Sequence, residues 1–237
     1  MGNTPTIHNA ALLGQIAPAV VMPGDPLRAA YLAENYLRDP TLHSNLRGIP
    51  VYTGTYRGAP VSVMASGMGA GSMGIYSHEL FWDYRVERIV RAGTAGGLNP
   101  ALSLRDVVLG VSCSTDSGFA AQFELPGVFA PCCSFSLASA ADRIGREKGL
   151  SIRGGMLFSG AAFHYTDSYL RRWAEAGALA VEMETAALYM NAMTAGREAL
   201  TICTITDMVF TGERCSPQER QTSLDAMLSL ALDTAIQ

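Results

Sequence analysis

Ala19-Val20-Val21-Met22-Pro23-Gly24-Asp25-Pro26-Leu27-Arg28 turns a buried strand into a helix within a few residues. The run 19–22 is short and apolar without a break, as in a strand covered on both faces. Pro23 and Gly24 end it, and Pro26 opens a helix in whose first turn a missing N–H costs nothing. The same alternation continues along the chain. It predicts strands over 19–22, 51–56, 61–65, 88–92, 106–114, 152–158, 179–182 and 200–207, and helices over 26–37, 72–84, 135–148, 167–176, 184–195 and 217–236. Alternation of this kind specifies an α/β architecture. The runs 52–56 and 61–65, separated by a turn at Arg57-Gly58, read as an antiparallel hairpin. The expectation is one domain over 1–237, with a mixed central sheet flanked by helices on both faces.

Composition narrows the function. The 237 residues are 49% hydrophobic and 16% charged, against about 25% charged in ordinary domains, which excludes disorder. A net charge of −4 gives no basic footprint for nucleic acid. No Lys or Arg precedes Arg28, so the basic region of a signal peptide is missing. The uncharged stretch 125–141 is interrupted by Pro126 and Pro131 and does not read as a membrane span. Cys113, Cys132, Cys133, Cys203 and Cys215 show no metal-ligand spacing. No metal site and a reduced, cytoplasmic setting are expected. Lys148 is the sole lysine; genomic composition accounts for that, yet Arg also grips phosphate in a fork that Lys cannot reproduce.

The last helix carries its own start signal. Ser216-Pro217-Gln218-Glu219 is a capping box, and Leu224, Met227, Leu228 and Ala231 follow at the spacing of a buried stripe. Arg220 projects from that same face, and an inward Arg requires an anion.

Four strand ends place polar residues where α/β sheets hold ligands. At Gly24-Asp25-Pro26-Leu27-Arg28, free N–H groups and the helix dipole favour an anion, with Arg28 one turn in, unless Arg28 only pairs at the surface. At Arg91-Ala92-Gly93-Thr94-Ala95-Gly96-Gly97, an Arg interrupts an apolar strand end before glycines that admit close approach. At Glu182-Met183-Glu184, two carboxylates meet a helix start; Glu184 either caps that helix or accepts from sugar hydroxyls. At Thr206-Asp207, an acid ends a buried run with Arg220 as a possible partner. Gly69-Ala70-Gly71-Ser72-Met73-Gly74 spells a dinucleotide fingerprint, but the next strand ends in Arg91 rather than an acid, and a hairpin precedes it. These glycines are expected to bring backbone close to a ligand, with Met68 beside it.

Taken in order, these segments resemble the bacterial hexameric type of purine nucleoside phosphorylase, within the nucleoside phosphorylase family. The match runs through 22–29, Thr53-Gly54-Thr55-Tyr56, Gly67-Met68-Gly69, Arg91-Ala92-Gly93-Thr94, 104–108, Val181-Glu182-Met183-Glu184, 201–207 and Glu219-Arg220-Gln221. The resemblance implies the nucleoside phosphorylase fold and phosphorolysis of purine nucleosides to free base and ribose 1-phosphate, with phosphate as co-substrate and no cofactor. It implies that Gly24, Arg28, Arg91, Ala92, Gly93 and Thr94 hold phosphate, joined by Arg47 from a neighbouring subunit. Glu184 would bind ribose hydroxyls, with Met183 and Met68 against the sugar. Phe163 would pack on the base near Thr206 and Glu182, and His8 would reach a neighbour's ribose. Asp207 would be the general acid, assisted by Arg220. A homo-oligomer follows, a hexamer built as a trimer of dimers, with no nucleic-acid or membrane partner. Against the family pattern, Thr94 and Thr206 replace Ser, Met208 replaces His, and 118–123 replaces a basic, polar run.

Chemistry supports these roles. Cleavage at N9 leaves positive charge on the sugar, which a clamped phosphate stabilises and captures, and negative charge on the purine, which protonation at N7 removes. Protonated Asp207 and cationic Arg220 therefore cannot pair tightly at every stage. The competing readings are a phosphate-independent nucleosidase of the methylthioadenosine/adenosylhomocysteine type and a non-catalytic nucleoside-binding protein. Arg28, Arg47 and Arg91 oppose the first, and Asp207 with Arg220 opposes the second. Uridine phosphorylase is disfavoured because pyrimidines lack N7.

Overall fold

The computed structural model describes residues 3–216, 219 and 224–237. Its strands are β1 (Ala19–Pro23), β2 (Arg38–Ser44), β3 (Val51–Tyr56), β4 (Ala59–Met64), β5 (Arg88–Gly97), β6 (Val107–Thr115), β7 (Ile152–Ser159), β8 (Ala180–Glu182) and β9 (Glu198–Met208). The helices among the described residues are α1 (Pro26–Tyr36), α2 (Gly69–Trp82), α3 (Phe135–Glu147), α4 (Asp167–Glu175), α5 (Thr185–Ala195) and α6 (Asp225–Ala235). The strands form one mixed sheet in the order β2-β3-β4-β1-β5-β8-β7-β6-β9, and β9 returns to pair with β5. Five strands therefore close on themselves, while β2-β3-β4-β1 extends as an open arm. The expected hairpin is present, as β3 and β4 pair antiparallel from Val51↔Met64 to Tyr56↔Ala59.

The closure depends on β5. Its first half lies between β1, paired from Ala19↔Arg88 to Pro23↔Ala92, and β9. Its end lies between β9 and β8, paired at Gly96↔Val181 and Gly97↔Ala180. Along one edge of β5 the neighbour thus changes from β1 to β8, and Gly93, Thr94 and Ala95 fall in the gap. This is a strand-divergence crevice of the kind in which α/β sheets bind ligands.

Helices cover the strands in pairs: α2 packs on α5, and α3 on α6, which also lies against β5 and β1. From Thr185 to Ala192, α5 is buried on every side, as for a helix inside the core. Tyr189 Oη, fully buried, donates to the Gly110 carbonyl and accepts the Thr201 N–H at 2.8 Å, tying β6 to β9. The expected stripe on α6 holds, with Leu224, Met227, Leu228 and Ala231 all buried.

Some boundaries differ from expectation. The strand β2 has no counterpart in the sequence reading because it is an exposed edge bearing Pro40, with no alternating apolar face. Past residue 92, β5 continues through Gly93–Gly97, paired with β9, rather than breaking into a loop. At Gly69 α2 begins, so the glycine run forms its first turns. Both β4 and β5 run parallel to the intervening β1, which makes α2 a crossover helix rather than a unit outside βαβ logic. The predicted helix start at 217 and most of its first turns lie outside the described residues. The capping box is nonetheless visible: Glu219 N–H donates to Ser216 Oγ at 3.1 Å, and Ser216 N–H to Glu219 Oε2 at 2.8 Å.

Candidate active site

Arg91 points into a buried knot of charge. Its guanidinium pairs with Glu184 Oε2, stands 3.2 Å from Glu182 Oε2, and reaches Cys203 Sγ at 3.6 Å. All four residues are buried. The local register explains the meeting. Running antiparallel to the end of β5, β8 brings its C-terminal Glu182 back toward the Arg91–Thr94 stretch. Cys203 is the β9 partner of Gly93 and lies on the Arg91 face. Burial opposes the Arg91 charge, but Glu184, Cys203 and Glu182 outweigh it and hold the pKa above its ordinary value. Burial raises the Glu182 pKa, and it pushes the Cys203 thiol up to about 12, so Cys203 stays protonated. Arg91 Nε is buried with no hydrogen-bond partner among the described residues.

The two carboxylates divide the work that the sequence leaves open. Glu182 caps α5, accepting the N–H of Glu184 at 2.9 Å and of Thr185 at 3.0 Å. Glu184 makes no capping bond; it accepts the Gly69 N–H at 2.5 Å and faces Arg91. Gly69 therefore presents the N-terminus of α2 to a carboxylate. A methyl group placed on Gly69 would touch Met183 Cε at 3.9 Å, which sets Met183 beside the same turn.

Arg28 enters from α1, whose start is fixed by Asp25 Oδ1 accepting the Leu27 N–H at 2.9 Å. Burial lowers its pKa; the Asp25 carboxylate works against this, while Arg91 repels its charge. Two guanidinium groups thus share one locality, and among the described residues the salt bridges there fall on Arg91. Gly24 lies against Gly67, whose carbonyl would be 3.4 Å from an added Cβ. Thr94 is half-buried in the gap between β1 and β8, behind Ala92 and Gly93.

Asp207 sits near the end of β9, aimed by a bulge. Ala95 pairs with Ile205 but Gly96 with Asp207, so Thr206 is the extra residue. Thr206, buried, donates to Asp207 Oδ1 at 3.2 Å, and Asp207 Oδ2 lies 3.0 Å from where a Gly96 Cβ would stand. Met208 packs at the corresponding place on Gly97. Arg220 lies outside the described residues, as does its expected meeting with Asp207.

The remaining expected site residues lie at the surface. Met68 precedes α2 and is exposed, and Phe163 is exposed on the loop between β7 and α4. His8 and Arg47 share another locality: His8 Nδ1 contacts Glu79 Oε1 at 2.6 Å, its ring meets Tyr76 edge-on, and Arg47 acts electrostatically on the same Tyr76. The exposed Arg47 occupies a turn with φ 57°. Sequence reasoning missed two contributors, Cys203 and the Gly69 N–H. Cys203 stands in a strand that also buries Thr201, Thr204 and Thr206, so its polarity did not set it apart. Gly69 belongs to the glycine run expected to bring backbone close to a ligand, although its N–H was not singled out as the donor.

The sequence profile of the Phosphorylase superfamily matches residues 18–232. Proteins named purine nucleoside phosphorylase DeoD-type are similar over nearly the whole chain. The one from Geobacillus sp. (strain WCH70) is 42% identical over 231 residues, covering 98% of each chain. The one from Clostridium perfringens is 45% identical over 234 residues, covering 98% of this chain and 99% of the relative. Among solved structures, uridine phosphorylase from Vibrio fischeri ES114 superposes with a TM-score of 0.85 over 99% of this chain and 98% of that one, at 22% identity. At that identity it speaks for the fold alone.

Proposed function

This chain belongs to the phosphorylase superfamily, and from that premise we propose that it cleaves purine nucleosides with phosphate at the crevice where β5 changes neighbour. The observation that carries this is the convergence of Arg28 and Arg91 on one locality that also holds Glu184. A water nucleophile needs no such pair of cations; a phosphate dianion does. Gly24 and the stretch Arg91-Ala92-Gly93-Thr94 supply N–H and hydroxyl donors around it, and Arg91 Nε has capacity left. Arg47 completes the clamp from a second copy of the chain, and His8 reaches the ribose in the same exchange. The chain works as a homo-oligomer, a hexamer by family. No cofactor enters the chemistry.

The ribose lies on Glu184, which Arg91 and the Gly69 N–H orient to accept from its hydroxyls. Met68 and Met183 pack on the sugar and Phe163 on the base, with Thr206 and Glu182 behind. As the C1′–N9 bond breaks, the purine takes a proton at N7 from Asp207, and a phosphate oxygen bonds to C1′. Arg220 assists Asp207 and withdraws its charge while the carboxyl is protonated. Arg28 beside Arg91, with an acid for N7, favours purine phosphorolysis over hydrolysis or mere binding.

Release of hypoxanthine from inosine, with and without phosphate, tests this. The expected result is release only with phosphate, accompanied by ribose 1-phosphate. Equal release in its absence identifies a nucleosidase. Binding of inosine and adenosine without cleavage identifies a nucleoside-binding protein.

A further inference from the structure

We infer that Asp116, just past β6, is a positioning residue for the loop that carries Phe163, and that it sets nucleoside affinity rather than the rate of bond cleavage. The inference rests on the assignment of Phe163 to the base. Asp116 is remote in sequence from that loop yet accepts from three of its donors or neighbours: the Ala161 N–H on Oδ1 at 2.8 Å, and the hydroxyls of Tyr165 and Tyr169 on Oδ2 at 2.7 and 3.1 Å. Tyr165 Oη in turn accepts the Ala162 N–H at 3.0 Å. The Gly160 N–H donates to the Glu182 carbonyl at 2.7 Å. Three successive backbone N–H groups directly before Phe163 are therefore held by three different partners.

The supports are themselves rigid. The Tyr165 and Tyr169 rings stack with centroids 5.0 Å apart and an interplanar angle of 5°, on an aromatic cluster that includes Phe158 and Trp173. Tyr165 lies so close to the loop that a Cβ on Gly160 would stand 2.8 Å from its ring. Burial alone would raise the Asp116 pKa, but the bonds from Tyr165, Ala161 and Tyr169 outweigh it and hold the carboxyl below its ordinary value. Phe163, by contrast, is 76% exposed, and among the described aromatic rings it pairs with its neighbour His164, edge-on at 5.1 Å. A side chain this exposed, on backbone fixed immediately before it, is a stacking surface whose placement depends on that backbone. Pre-ordering it spares a ligand the entropy of fixing the loop.

The test compares Asp116→Ala, Tyr165→Phe, Phe163→Ala and the Asp116→Ala/Phe163→Ala double variant in steady-state phosphorolysis of inosine. Tyr165→Phe keeps the stacked ring and removes only the hydroxyl, so it serves if Asp116→Ala does not fold. Each single variant is expected to raise the inosine KM by about fivefold or more, with kcat and the phosphate KM within about twofold. The double variant is expected to add less than about twofold to Phe163→Ala alone, since both act through one ring. If Phe163→Ala raises the inosine KM while Asp116→Ala and Tyr165→Phe do not, the inference falls and the base assignment survives. If Phe163→Ala changes nothing, the base assignment falls and this inference with it. A fall in kcat together with rises in both KM values in Tyr165→Phe would show a merely structural role and overturn the inference.

Discussion

Gly93 matters for the side chain it lacks. The Arg91 guanidinium lies across the position a Gly93 Cβ would occupy, so Arg91 reaches Glu184 and Cys203 only because residue 93 is glycine. Gly93→Ala is expected to dislodge Arg91 and lower kcat/KM for phosphate by about tenfold or more, because a charge-assisted pair is lost from a buried site; unchanged kinetics would place the guanidinium elsewhere. Asp207→Asn is expected to leave inosine binding nearly intact while turnover falls by about tenfold or more, a floor set below the roughly 10²–10⁴-fold usual for a general acid. Equilibrium binding beside stopped assays separates the two effects, and unchanged turnover would remove Asp207 from its role. The sequence shows which residues are chemically capable here, since Arg at a strand end and paired Glu at a helix start are unusual. It does not show that Glu182 caps α5 while Glu184 turns to Arg91, because the partner is set by the return of β8 from elsewhere in the chain. Arg220 and its expected inward direction fall outside the described residues.

At the scale of elements, β5 organises the site. Apolar runs made β1 and most of β9 legible, because each buries a continuous stretch. The glycines of 93–97 read as a break, yet they continue the strand and clear space for Arg91, Asp207 and Met208. β2 was illegible for the opposite reason: an exposed edge needs no apolar pattern. Tyr189 shows how the elements are held in place from behind, since its hydroxyl serves both Gly110 and Thr201 within the core. Tyr189→Phe would leave a buried carbonyl and a buried N–H unpaired, at a cost of about 1–3 kcal/mol. The expected outcome is a lowered unfolding midpoint with both KM values unchanged; an undiminished midpoint would mean that these groups find other partners.

At the scale of the molecule, the closed ring of β5, β8, β7, β6 and β9 is what brings Glu184, Arg91 and the end of β9 together. Closure is a matter of register between distant strands, and local pattern carries no record of it. His8 and Arg47 gather around Tyr76, while Arg28 gathers with Arg91, as donation of the first two to a second copy requires. Sedimentation is expected to show an oligomer; a stable, fully active monomer would contradict the shared site. Mixing also tests it. Chains bearing Arg47→Ala and chains bearing Asp207→Asn, each impaired alone, should regain activity by about tenfold when reassembled together, since some sites then carry neither lesion. No recovery would mean that Arg47 serves its own chain or none.

In the function proposed, phosphate lies in the crevice beside β5, between Arg28 and Arg91. The most direct measurement is the phosphate KM of Arg28→Gln at saturating inosine, beside the inosine KM at saturating phosphate. The expected result is a phosphate KM raised by about tenfold or more with the inosine KM within about twofold. An unchanged phosphate KM, or an equal rise in both constants, would contradict it.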